Sequence, residues 1–123
     1  MRAAILVFLG GGLGSVIRFY IGRSMNAASP SFPWGTFTVN LIGSFIIGLV
    51  FGWILEKSKL SENLLLFLVA GFCGGFTTFS AFTHESIALL RTGHTALFWY
   101  YLLASLAFGL FCVWLGYVIV KSI

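Results

Sequence analysis

The stretch GFCGGFTTFSAFTHE, Gly71 to Glu85, lies inside an apolar run that extends from Asn63 to about Leu90. Its flanks have the composition of a membrane span. Its middle does not, because Gly71, Gly74, Gly75, Thr77, Thr78, Ser80 and Thr83 crowd small and hydroxylated residues where helix propensity is then low. Backbone that leaves the helix inside a bilayer must be buried in protein or line a cavity, and its freed carbonyl and N–H groups are natural ion ligands. The stretch therefore predicts a membrane helix broken near residues 74–78, with chemistry at the break. Oxygen-only ligation there suits a hard cation. Phe79 and Phe82 fall one helical turn apart, and the edges of their rings carry partial positive charge. With fourteen Phe in the chain, a core or lipid-facing role stays open for either ring.

The rest of the chain supports a bilayer as its solvent. Of 123 residues 59% are hydrophobic and 8% charged, with mean hydropathy +1.04, whereas soluble domains carry roughly 25% charged residues. A span takes about 20 apolar residues, so this length holds four or five spans and no separate soluble domain. Residues 1–123 are read as one transmembrane domain. The spans are expected at about 3–25, 34–55, 63–90 and 96–120. Arg2 ahead of the first run would also suit a signal peptide, but no small-residue cleavage site follows cleanly and three equally apolar runs come later, so a retained helix is expected. The connections are Asn26 to Pro33, with Pro30 and Pro33, then EKSKLSE at 56–62 and RTGHT at 91–95. Trp34 and Trp53 sit near the ends of the second run like interfacial anchors.

With four spans both termini share one side of the membrane. That side collects Arg2, Lys57, Lys59 and Lys121, and the other Arg18, Arg23 and Arg91. Orientation follows such a bias, and here it is almost absent, which predicts insertion in both directions. Four short helices hardly enclose a pathway alone, so the expected assembly is an antiparallel, dual-topology homodimer.

Thr36, Asn40 and Ser44 recur every four residues and share one face of the second helix; Tyr101, Ser105, Gly109 and Cys112 form a similar stripe on the fourth. Such a stripe either hydrogen-bonds a neighbouring helix or lines a water-filled path, where the Asn40 amide would be able to donate to an anion. Arg18 lies deep enough in the first span to cost roughly 2.5–3.5 kcal/mol if unpartnered at a helix centre. Snorkelling, anion attraction and a structural hydrogen bond all remain open for it. The Gly10–Gly14 and Gly48–Gly52 pairs have the spacing of close helix packing.

Other classes find little support. The basic residues are scattered singly, unlike a nucleic-acid patch, and Cys73 and Cys112 read as small buried hydrophobes. His84-Glu85 does not complete a zinc-protease motif, because position 88 is alanine. No nucleophilic triad, acidic pair or phosphate loop stands out, so an enzyme is not expected.

GGGLGSVIRFY (Gly10 to Tyr20), WGTFTVNLIGSFIIG (Trp34 to Gly48) and GFCGGFTTFSAFTHE together, in this order and spacing, resemble the small four-helix bacterial fluoride channels of the Fluc, or CrcB, family. The resemblance spans the whole chain. It implies a fluoride-selective channel giving passive export of cytoplasmic fluoride and fluoride resistance, in a bacterial inner membrane. It also implies an antiparallel homodimer with two pores and a central structural sodium ion. On this sequence the sodium-liganding carbonyls would be those of Gly74 and Thr77, the pore phenylalanines Phe79 and Phe82, and the pore amide Asn40. Thr36, Ser80, Thr83, Tyr101 and Ser105 would add polar lining, with Gly109 standing where some relatives carry a hydroxyl. Arg18 resembles the family's first-helix arginine and Glu85 an acidic residue near a pore end. The alternative is a small multidrug-type, proton-coupled transporter, which has the same size but depends on a membrane-embedded carboxylate.

Overall fold

In the computed structural model, residues 1–26, 31–57 and 60–123 are described; Pro30 of the first connection and Lys59 of the second lie outside them. Every regular element among the described residues is helical. Helix α1 is Arg2–Met25 and α2 is Trp34–Glu56. The third span has two parts. Its first, α3, is built from Glu62–Leu65, the π-wound Leu66–Cys73 and Gly74–Phe76, and its second, α4, is Phe79–Arg91. Helix α5 is Thr95–Ser122. Four stretches, Arg2–Met25, Trp34–Glu56, Glu62–Arg91 and Thr95–Ser122, are long and apolar enough to cross a membrane. They match the expected spans to within one or two residues at most ends.

Local chemistry explains the ends. Ser61 caps α3 by accepting from the Leu64 N–H, 3.3 Å. At the far end of α4, Gly93 at φ +80° closes the helix, with the His94 N–H on the Leu89 carbonyl and the Gly93 N–H on that of Leu90. The Asn26 side chain accepts from the Gly35 N–H at 2.8 Å, which ties the end of α1 to the start of α2.

Glycines then set which helices meet. Each one costs a helix about 1 kcal/mol against alanine, so packing has to offset it. A Cβ at Gly10 would collide with the Phe67 carbonyl, one at Gly14 with that of Phe72, and one at Gly75 with that of Gly11. Helices α1 and α3 therefore lie backbone on backbone. In the same way Gly48 meets Val113, Gly52 meets Tyr117, and Gly116 meets Phe45 and Leu49. These contacts bring α2 against α5, a pairing about as extensive among the described residues as that of α1 with α3. Since Gly48 faces Val113 and Gly52 faces Tyr117, α2 and α5 run side by side in the same direction. Carried back one turn at a time, that register sets Ser44 beside Gly109, Asn40 beside Ser105 and Thr36 beside Tyr101.

The break is narrower than the sequence suggests. Only Thr77 and Thr78 leave the helix, with φ/ψ of −81°/156° and −151°/116°, whereas Gly74 and Gly75 remain helical. Gly75 serves close approach to α1 instead of a turn. Gly43 does the same for α2, because a Cβ there would overlap the Thr77 methyl group.

Candidate functional site

A helix break inside a membrane span orphans carbonyls on one side and N–H groups on the other, and each needs a partner. Here side chains from two other helices supply several. The Thr78 N–H donates to Asn40 Oδ1 at 2.8 Å, and Asn40 Nδ2 donates back to the Thr78 carbonyl at 3.2 Å. Asn40 thus pairs with the extended residue as a neighbouring strand would. The Thr78 hydroxyl accepts from the Ala81 N–H at 3.2 Å, which caps α4. On the other side, the Gly75 carbonyl accepts from Arg18 Nε at 2.9 Å and from the Ser15 hydroxyl at 3.3 Å. Of the roles open to Arg18, a structural hydrogen bond is the one observed, and it sets a cation at the negative end of α3.

Three carbonyls at the break, those of Gly74, Phe76 and Thr77, accept no hydrogen bond among the described residues. The Gly74 carbonyl loses its helical donor, because the Thr78 N–H turns to Asn40. The Thr77 carbonyl accepts no hydrogen bond among the described residues, while its own N–H and hydroxyl both donate to Cys73, at 2.9 and 2.8 Å. These are oxygen donors without thiolate or imidazole beside them, and among the described residues no cluster of His, Cys, Asp or Glu stands ready for a softer metal. The donor set fits a hard cation, with Gly74 lying on an uncovered face of the chain.

A second polar group forms one turn away. The Thr36 hydroxyl donates to Glu85 Oε1 and the Tyr101 hydroxyl to Glu85 Oε2, each at 2.7 Å. Tyr101 is fully buried and Thr36 nearly so. Two residues, from α2 and α5, thereby converge on one carboxylate of α4, with both of its oxygens engaged.

Two cavities flank these groups. Asn40, Ser44, Thr77, Thr78, Phe79, Phe82, Ser105 and Gly109 line a groove of about 290 Å³, together with Phe37, Leu41, Ile47 and Leu106. Ser15, Arg18, Arg23, Asn26, Thr36, Thr78 and Glu85 line part of a larger cleft of about 620 Å³. Thr78 lines both. The larger cavity is thus lined by Arg18 and Arg23, the smaller by the rings of Phe37, Phe79 and Phe82, and the residue that Asn40 clamps is common to them.

The phenylalanines differ in setting. Their ring centroids are 5.9 Å apart, but Phe79 is 78% exposed while Phe82 is 9% exposed and packs on Tyr101 at 5.0 Å. The Ser105 hydroxyl is buried with no hydrogen-bond partner among the described residues. Ser80 and Thr83 line neither cavity. The Ser80 hydroxyl is 3.3 Å from that of Thr78, and the Thr83 hydroxyl donates to the Ser80 carbonyl at 3.0 Å. Sequence reasoning gave no separate role to Thr78, although a Thr immediately before an apolar-periodic run is a helix-start signal. Nor did it single out Ser15, which lies one turn before Arg18.

Residues 5–117 match the family described as CrcB-like protein, Camphor Resistance (CrcB). The chain belongs to the CrcB family. Among CrcB relatives, a fluoride-specific ion channel FluC of Bacteroides fragilis is 45% identical over 120 residues, covering 94% of each chain. Its counterpart of the same name in Gloeothece citriformis is 46% identical over 122 residues and 98% of each, and that of Flavobacterium psychrophilum 39% identical over 124 residues and 100% of each. These CrcB relatives carry the names of ion channels, not enzymes, and with its four apolar helices this member is a multi-pass bacterial membrane protein.

Proposed function

We propose that this chain is a fluoride-selective channel through which accumulated cytoplasmic fluoride leaves the cell passively, conferring fluoride resistance. The observation that carries the reading is the groove at the broken span, where Asn40, Thr78, Ser105, Phe79 and Phe82 meet, in a chain closely similar to fluoride-specific ion channels. Fluoride is small and strongly hydrated, so a selective path must replace its water with close donors in a passage too narrow for chloride. Candidate donors are the second N–H of the Asn40 amide, the unpaired Ser105 hydroxyl and the ring edges of Phe79 and Phe82. Arg18 and Arg23 on the wider cleft lower the barrier for an approaching anion. A negative interior potential drives the anion outward by about 2.3 kcal/mol per 100 mV.

The working unit in this reading is an antiparallel, dual-topology homodimer with two pores. Near-balanced loop charges support both orientations, and the exposed Phe79 at the edge of the groove supports a second copy covering it. A sodium ion at the dimer centre would be held by the Gly74 and Thr77 carbonyls of both copies, and when bound it supplies positive charge and ties the two breaks together. Glu85, the carboxylate that a proton-coupled drug transporter would use, has both oxygens engaged by Thr36 and Tyr101. That arrangement supports a fixed acceptor over an exchanging one.

The test is anion efflux from liposomes containing the purified protein, with fluoride and chloride electrodes in parallel and potassium shunted by valinomycin. Rapid fluoride release with chloride retained is the expected result. Folded dimers that release no fluoride would reject the reading.

A further inference from the structure

Several hydroxyls in these helices fold back onto their own backbone. Ser86 donates to the Phe82 carbonyl and Ser122 to that of Val118, each one turn earlier, at 2.7 and 2.8 Å. This is the ordinary resting place of a serine inside a helix, where water is scarce. Ser44 does not take it. Among the described residues its hydroxyl has no hydrogen-bond partner, and the side chain lines the same groove as Asn40, Phe79 and Phe82. The Ser105 hydroxyl on α5 is likewise unpaired and buried. The buried Ser105 hydroxyl calls for a partner, because a polar group buried without one is destabilising, and the half-buried, unpaired Ser44 hydroxyl lines the same groove one turn away.

The register of α2 against α5 gives Ser44 a distinct position. One turn holds Thr36 and Tyr101, both committed to Glu85. The next holds the Asn40 amide and the Ser105 hydroxyl. The third holds Ser44 and Gly109, and here α5 presents no side chain at all. A Cβ built at Gly109 would meet nothing within 4 Å, so the space opposite Ser44 is open. At this turn Ser44 is the hydrogen-bond donor that the α2–α5 pair provides.

We infer that the Ser44 hydroxyl is an anion ligand of the groove, extending the row of donors one helical turn beyond Asn40 and Ser105, at the level where Gly109 leaves α5 bare. The inference rests on the fluoride-channel reading of that groove. A small anion leaving Asn40 meets, one turn further on, only Ser44 to replace lost water. The vacant position on α5 explains why the hydroxyl must come from α2.

The experiment compares fluoride efflux from liposomes for wild type, Ser44→Ala, Gly109→Ser and the double variant, with chloride followed in parallel. Removing one neutral donor is expected to slow fluoride release about tenfold. Gly109→Ser builds a hydroxyl into open space across the groove, so the double variant is expected to regain most of the lost rate. That rescue separates a ligand from a packing role, which a residue on the opposite helix would not restore. Melting temperature and gel filtration check folding, and Ser44→Cys, which keeps the side-chain volume but weakens the donor, serves if the alanine variant does not fold. Wild-type rates in Ser44→Ala, or a double variant no faster than the single one, overturn the inference while leaving the channel reading in place. A wild-type protein that releases no fluoride overturns the channel reading and this inference with it.

Discussion

The seam between α1 and α3 and the face that α2 turns to the break both rest on residues spaced by four, yet their chemistry is opposite. On α1 the residues are Gly10 and Gly14, and the backbone of the third span lies directly on them. On α2 they are Thr36, Asn40 and Ser44, of which Thr36 and Asn40 meet the facing third span through side-chain hydrogen bonds. The difference follows from what each stripe faces. The first half of the third span is helical, with its backbone groups satisfied internally, so its neighbour gains most by offering no side chain. Thr78 is extended, so its N–H and carbonyl need partners that a side chain supplies. Periodicity places a face; the state of the opposing backbone decides what that face must carry.

Substitutions can break this contrast, and their effects should fall in order. Gly75→Val would drive a branched side chain into the Gly11 carbonyl, backbone against backbone. Overpacking of this kind costs about 1–3 kcal/mol or more where nothing yields, and the expected outcome is little folded protein by gel filtration in detergent. Asn40→Ala strips partners from the Thr78 N–H and carbonyl together. At about 1–3 kcal/mol for each unsatisfied group, the melting temperature should drop clearly and fluoride efflux should be lost. Asn40→Asp keeps the acceptor for the Thr78 N–H and should retain more of the stability. An Asn40→Ala protein as stable as wild type would mean that the break holds itself.

Arg18→Met removes the charged donor from the Gly75 carbonyl. A cation at a helix C-terminus contributes about 0.3–2 kcal/mol, so a moderate fall in thermal stability is expected, with Ser15 left as the remaining donor. Ser15→Ala should have the smallest effect, about 0.5 kcal/mol, because its 3.3 Å bond shares an acceptor that Arg18 already satisfies. If Ser15→Ala proved costlier than Arg18→Met in thermal unfolding, Ser15 would be the principal partner of that carbonyl.

The spans were legible because apolar runs of about 20 residues end in prolines and charges, and the two polar stripes because four-residue spacing survives in any helix. The break was legible in place but not in width. Glycines weaken a helix in isolation, yet Gly74 and Gly75 stay helical here since Gly75 is needed against Gly11. The π-wound turn at Leu66–Cys73 has no compositional mark in an otherwise ordinary apolar stretch. The partners of Arg18 and Asn40 were not legible either, because both are backbone atoms whose freedom depends on two dihedral pairs at Thr77 and Thr78. The convergence of Thr36, Glu85 and Tyr101 depends on the relative placement of α2, α4 and α5, which no single-helix pattern encodes.

In the fluoride-channel reading, an anion passes at the broken span, along the groove where Phe79 and Phe82 meet the Asn40 amide. Fluoride efflux from liposomes containing Phe79→Ile and Phe82→Ile proteins, each verified as folded, tests it most directly, because isoleucine keeps apolar bulk while removing the electropositive ring edge. Both variants are expected to release fluoride well below the wild-type rate. Wild-type rates in both would contradict the account.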